Sequence, residues 1–312
     1  MNMLIKLNLL LSNPIIQTYS HAPLNSPILN ECLGLNLTIP SIVDIPFLFS
    51  CFALSIDGKL CYRNNPSGFS IASSNHHATD TERKADLQTL MIARSMSNAV
   101  ILGSDSLHSE KKTYISEITI PELSNLRTSN KSLSKNLWNI LICRNLSKID
   151  GSYSLFNDTK TPLIICCFNQ VNSIPDNLSN LDNFDIFKVL KLSNLHSIKQ
   201  LGLKNILEVD VGTKKMFQIF KQIGFNIILN ESPFFHHLLL EKKLLHEIWL
   251  NYACSYIGGN INSLGYKQNS FSTVDHPDTE ILTLHHLNYN FLYSRQRVLN
   301  STHHPRHVTL LE

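Results

Sequence analysis

The sequence predicts an α/β fold built on a mixed sheet whose C-terminal edge is antiparallel. Two observations predict it. From residue 46 onward, apolar runs of strand length alternate with stretches of helical period, the order that builds a sheet with helices on its faces. The last two apolar runs, 281–287 and 290–299, meet around Tyr289-Asn290 and so pair as a hairpin. With 312 residues, 43% hydrophobic and 16% charged, the chain can bury a real core and is too apolar for disorder.

Residues 1–45 carry Pro14, Pro23, Pro27 and Pro40 and little periodicity, so they read as a partly irregular N-terminal extension with room for a short helix. FLFSCFALS, residues 47–55, is a buried strand ended by the turn pair Asp57-Gly58. Residues 79–96 are helical: Leu87, Leu90, Met91 and Arg94 share a face, and Thr79 or Thr81 caps the start. NAVILG, residues 98–103, is a strand closed by Gly103, and the polar stretch 108–136 reads as a long loop. Strands are expected at 138–143, 162–167, 184–190 and 205–210. A helix over 213–224, a strand over 225–230, a helix over 233–244 and a strand over 245–253 follow, the last interrupted by Glu247, read as structural at a sheet end or dimer surface. Residues 46–299 therefore read as one domain, and 300–312 as a C-terminal tail.

A net charge of +3 and a pI near 8.4 give no footing for nucleic acid, though they suit a small anion. The seven cysteines are odd in number and contain no C-x-x-C, and Cys166-Cys167 lie in an apolar run like buried thiols. A reducing, cytoplasmic compartment is the expectation. The first residues are broken by Lys6, Asn8 and Asn13 and lack a signal-peptide pattern. No apolar segment approaches the roughly 18 residues that span a bilayer, so no membrane partner is expected. The histidine pairs 76–77, 236–237 and 285–286 have no third ligand at metal spacing, so they read as packing or surface residues and no metal is expected.

In sheets of this kind ligands bind beyond the carboxyl ends of the strands. Three of those ends are polar: Ser55-Ile56-Asp57-Gly58, Gly103-Ser104-Asp105-Ser106 and Asn230-Glu231-Ser232-Pro233. Each has a plain structural reading beside the functional one. Asp-Gly is a good turn pair anywhere, and Ser232 before Pro233 is a good helix cap.

These residues also match a known pattern. FALSIDGKL, ARSMSNAVILGSDS and ILNESPFFHHLLLEKKLLHEIWLNYACSYIGG resemble, in order and spacing, the reductase domain of riboflavin biosynthesis over about residues 46–299. The resemblance implies a three-layer, dihydrofolate-reductase-like mixed sheet. It implies an NADPH-dependent reductase acting on a small phosphorylated molecule, a ribosylaminopyrimidine phosphate, with hydride passing to C1 of the ribose. It also implies a homodimer, to which the apolar run LHEIWLNYACSYIGG would add interface. The zinc-binding His-x-Glu and Pro-Cys-x-x-Cys of the partner deaminase are absent, so a stand-alone reductase is expected. A diverged, non-catalytic paralogue and a reductase of another pterin-like substrate are the alternatives.

Carried over by position, the resemblance makes Asp57 and Arg94 substrate-binding. The substrate-binding glutamate falls on Asn230 without a gap and on Glu231 with a one-residue slip. Ala53, Ser70, Gly103, Ser106, Ser232 and Pro233 fall at cofactor positions, Ser70 in place of a tryptophan. No residue is singled out as a general acid. The family's Glu-Gly-Gly-Pro reads Asn230-Glu231-Ser232-Pro233 here, and its basic position after the Gly103 loop reads Glu117. Glycine lets a backbone approach a pyrophosphate closely, whereas side chains crowd it. Glu231 at a helix N-terminus would also compete with phosphate for the same positive end.

Overall fold

A computed structural model describes residues 4–110, 114–130, 133, 136–171, 178, 187–265 and 268–299. Among them are the strands β1 (Asn8–Ser12), β2 (Phe47–Ser55), β3 (Ala99–Gly103), β4 (Trp138–Cys143), β5 (Leu163–Cys167) and β6 (Phe187–Lys191). Next come β7 (Lys204–Glu208), β8 (Ile227–Asn230), β9 (Glu247–Ala253), β10 (Thr279–Leu287) and β11 (Phe291–Val298). The helices are α1 (Pro27–Leu33), α2 (Ser70–Ser73), α3 (Asp80–Met96), α4 (Ser104–Ser109), α5 (Pro121–Ser129), α6 (Ser154–Asn157), α7 (Thr213–Gln222) and α8 (Pro233–Glu241).

All the strands join one sheet in the order β1-β10-β11-β9-β2-β8-β3-β4-β5-β7-β6. From β9 to β6 every pairing is parallel; β9-β11, β11-β10 and β10-β1 are antiparallel. The antiparallel edge of the sequence reading is present, with the hairpin β10-β11 at its centre. Successive side chains of a strand point to opposite faces, and β2 shows which helices lie where. Ser50 meets His236 of α8 on one face, whereas Cys51 lies in the field of Asp86 and Arg94 of α3 on the other. The sheet is thus the middle of three layers.

The reading of 108–136 as a loop is corrected: α4 ends at Ser109 and α5 spans Pro121–Ser129. Pro121 stands in the first turn of α5, where a missing N–H costs nothing. So short a helix, with one leucine and one arginine buried, offers too few apolar positions for its period to show. Its Arg127 is buried and donates to the last carbonyls of α3, those of Arg94, Ser95 and Ser97. A cation there complements the negative end of that helix. Burial pushes this guanidinium down to about 10.

The N-terminal segment folds onto the domain. β1 pairs with β10, and Leu7, Leu24, Leu29, Cys32, Ile39 and Ile45 join the same core as the sheet. A bulge between Leu9 and Leu11 twists this outer strand, a device that discourages further strand pairing. Gln88 of α3 holds the segment through Ile5, accepting from its N–H at 2.7 Å and donating to its carbonyl at 2.8 Å.

In the 245–259 run one sequence reading changes, that of Glu247 at a surface. β9 lies in the middle of the sheet between β2 and β11, so its apolar character comes from burial inside the subunit. Glu247 is 0% exposed rather than at a surface. It accepts from Arg295 Nε at 2.6 Å, Arg295 Nη2 at 2.8 Å and Trp249 Nε1 at 3.0 Å. Arg295→Met should therefore cost about 3–5 kcal/mol in urea unfolding, because it leaves a buried carboxylate unpaired. A Glu247→Leu/Arg295→Met double variant should recover most of that loss.

Asp86 gives a second test. It is buried over β9, where Asn251 Nδ2 donates to it at 3.1 Å, and burial pushes its carboxyl from 3.8 up to about 6. Between those values the folded chain holds a proton that the unfolded chain has released. The contribution is full below pH 3.8 and is lost as pH rises through about 6. Asn251 Oδ1 has no partner among the described residues, and the amide of Asp86→Asn can donate to it. This variant should raise stability at pH 7.5 by on the order of 2–3 kcal/mol, and the gain should vanish near pH 4 in urea titrations.

Candidate functional site at a break in the sheet

The site begins with a mismatch of strand lengths. β8 pairs with β2 over Phe47–Ser50 and stops at Asn230, whereas β9 pairs with β2 as far as Ser55. From Cys51 to Ser55 the β8-facing edge of β2 therefore has no strand beside it. Ala53 lies within this free stretch. Across the gap β3 ends at Gly103 and hands over to α4. The strand order therefore has a notch between β2 and β3, with the β8-to-α8 turn at its inner end, and Cys51, Phe52, Leu54 and Ser55 along it are buried.

That turn is built by its own side chains. Asn230 is buried; it donates to Ser50 Oγ at 3.0 Å and to the Ser232 carbonyl at 3.1 Å, and accepts from Ser232 N–H at 3.2 Å. Ser50 Oγ lies 2.9 Å from His236 Nδ1, and burial holds that imidazole down at about 3, hence neutral. Ser232 Oγ accepts from Phe235 N–H at 3.3 Å and caps α8, while Pro233 fills the first helical position. Gly103 lies directly against this cap: a Cβ there would sit 2.7 Å from Ser232 Oγ and 3.7 Å from Ser106 Oγ. Gly103, Ser106 and Ser232 thus share one corner, with a serine hydroxyl where the resemblance has glycine.

Glu231 points the other way, to α3. Its carboxylate accepts from Arg94 Nε at 2.8 Å and Nη2 at 2.7 Å, a bidentate pair whose side chains are 3% and 8% exposed. The Tyr114 hydroxyl donates to Glu231 and accepts from Arg94. Arg94 Nη1 donates to the Glu117 carbonyl at 3.2 Å. Burial alone would lower the guanidinium, but the Glu231 carboxylate outweighs it and holds Arg94 protonated. Burial raises the Tyr114 phenol, and the Glu231 charge adds to that.

Asp57 stands apart at the tip of β2. It accepts from Ser55 Oγ at 2.7 Å, Gly258 N–H at 2.8 Å and Ile257 N–H at 3.1 Å, pinning the loop after β9 to the turn after β2. Burial opposes its charge, but these donors outweigh burial and hold the carboxyl below its ordinary value. Gly58 beside it has φ 77°, the left-handed geometry the turn needs. Ser70 opens α2, is 1% exposed and has no hydroxyl partner among the described residues. The structure thus joins Arg94 with Glu231, and Gly103 with Ser106 and Ser232. It leaves Asp57 in the loop clamp and Ser70 under α2.

Three neighbours were not picked out from sequence. Tyr114 lay in the stretch read as loop. Asp86 was one polar position among many on α3. Arg144 follows β4, and the strand-end argument applied to that strand would have found it. Its guanidinium lies 4.6 Å from the ring centre of Phe234, in the first turn of α8. Arg144 is exposed, and Phe234 is 39% exposed. Among the described residues no group of three or more His, Cys, Asp or Glu side chains could hold a metal. Among them, too, no helix is long and apolar enough to cross a membrane.

No family model matches the sequence. No curated protein matches it either. Solved structures do. A pyrimidine reductase-like protein from Corynebacterium diphtheriae aligns with a TM-score of 0.55 at 16% identity, covering 81% of this chain and 92% of that one. A diaminohydroxyphosphoribosylaminopyrimidine deaminase/5-amino-6-(5-phosphoribosylamino)uracil reductase from Thermotoga maritima aligns with a TM-score of 0.53 at 11% identity. That alignment covers 81% of this chain, which spans 57% of the length of the Thermotoga protein. RibD from Acinetobacter baumannii gives 0.53 at 14% identity, covering 82% of this chain and 58% of that one. At such identities the likeness is one of fold, and the fold is the one found in riboflavin-pathway pyrimidine reductases.

Proposed function

We propose that the chain is a nicotinamide-dependent reductase of a ribosylated pyrimidine, the class named for the Thermotoga protein. The observation that carries this reading is the notch itself, where β2 runs on to Ser55 beyond the end of β8. A flat ring laid there meets free strand backbone around Ala53 on one side and the Gly103 corner on the other. NADPH is the cofactor of this reading, and when bound it supplies the hydride.

The donors present suit such a dinucleotide. Arg144 beside the first turn of α8 offers an exposed cation for its phosphates, and the Phe234 ring beneath keeps that guanidinium in place. Ser106 adds a hydroxyl at the Gly103 corner. Ser232 narrows the approach there, so phosphate is better served from the Arg144 side. The chain's remaining work is to orient the two rings and exclude water.

A second reading, a paralogue that binds without catalysis, is favoured by one observation: four of the five N–H groups of Arg94 are already taken by Glu231, Tyr114 and Glu117. The two readings separate in one experiment. Purified protein with NADPH and 5-amino-6-ribosylaminouracil, offered with and without its 5′-phosphate, should lose absorbance at the reduced-nicotinamide band. Calorimetry should show NADPH binding that Arg144→Ala weakens about tenfold, the worth of one exposed charge-phosphate contact of about 1.4 kcal/mol. NADPH bound tightly without turnover on either substrate would favour the non-catalytic reading, and no NADPH binding would sink the first.

A further inference from the structure

We infer that Glu231 is a specificity-determining residue: by neutralising Arg94 it makes the inner end of the notch reject phosphate and accept an uncharged, hydroxyl-bearing group. The substrate of this chain would then reach that end unphosphorylated. The inference rests on the reading of the notch as a substrate site, and deepens it by naming the substrate's charge.

The donor inventory of Arg94 comes first. A guanidinium attracts a phosphate when two parallel N–H groups are free to face it. Here Nε and Nη2 both face the Glu231 carboxylate, at 2.8 and 2.7 Å, and Nη1 donates to the Glu117 carbonyl. The Tyr114 hydroxyl also points its hydrogen at Glu231, so it is spent as a donor. One Nη1 hydrogen is left over, so a phosphate could gain two parallel donors from Arg94 only by evicting Glu231. With side chains 3% and 8% exposed, the pair lies where water cannot compensate the displaced carboxylate.

The second argument is the local field. The thiol of Cys51, at the start of the free stretch of β2, is raised first by burial. The Glu231 and Asp86 carboxylates raise it further, against the single opposing charge of Arg94. An additional anion beside Cys51 would meet the same repulsion. Hydroxyl groups would not. Glu231 Oε2 accepts from both Arg94 and Tyr114, but Oε1 accepts only from Arg94 Nε and keeps lone-pair capacity, so a ribosyl hydroxyl of a neutral substrate can donate to Oε1 without moving the pair.

The test compares 5-amino-6-ribosylaminouracil with its 5′-phosphate by calorimetric titration of the full chain. The wild-type protein should bind the unphosphorylated compound at least tenfold more tightly. Glu231→Gln, which keeps the shape and removes the charge, should shift that ratio at least tenfold toward the phosphate. Tyr114→Phe, which keeps the charge pair, should leave the ratio unchanged. Equal or tighter wild-type binding of the phosphate overturns the inference, and so does an unshifted ratio in Glu231→Gln. Binding of neither compound also overturns it, because a site made for the neutral sugar must hold it. The wild-type ratio stands as a test even if Glu231→Gln does not fold. The reductase reading is scored separately by NADPH binding without substrate. NADPH bound together with a preference for phosphate would sink this inference alone.

Discussion

Arg94 and Glu231 are buried together, and each can be buried because the other is there. A lone guanidinium in an apolar layer would leave its donors unmatched, and a lone carboxylate at the end of β8 would take up a proton or stay in water. Paired, they fasten α3 to the point where β8 stops, bridging 137 positions of sequence. The short β8, the notch beside β2 and the turn into α8 all depend on that junction. Tyr114 and the Glu117 carbonyl draw the segment after α4 into the same knot.

A second buried pair, Glu247 with Arg295, does for the antiparallel half what the first does for the parallel half. It ties β9 to β11, and Arg295 reaches further to the Thr38 carbonyl in the N-terminal segment. Between the two pairs lies the span from β2 to β9, with Asp86 and Asn251 above it. The notch is therefore framed by fixed electrostatic contacts, and the groups that would meet a ligand's interior end are committed before any ligand arrives.

Much of the fold was legible because burial leaves a periodic trace. The strands of β2, β3, β4, β5 and β9 are nearly continuous apolar runs, as parallel strands covered on both faces must be. The threonine cap, which the structure places at Thr79, and the serine-proline start of α8 marked two helix ends. What failed to show were elements whose burial is mostly polar or borrowed. α5 turns on one leucine and a buried Arg127, and β1 gains its place by pairing with β10 rather than by its own pattern.

The candidate site divides in the same way. By itself the sequence determined the order of the central strands, of α3, α7 and α8 among them, and the polar ends of β2, β3 and β8. These are properties of local spacing and residue type, and the family resemblance adds that Glu231 and Ser232 stand where it has two glycines. Only the tertiary structure decided which way those residues face. Asn230 turns to Ser50, Ser232 caps α8 against Gly103, and Glu231 turns to Arg94. Side-chain direction at a strand end depends on where the next helix lands and on which buried charge needs a partner. Both are set by contacts between segments far apart in the chain.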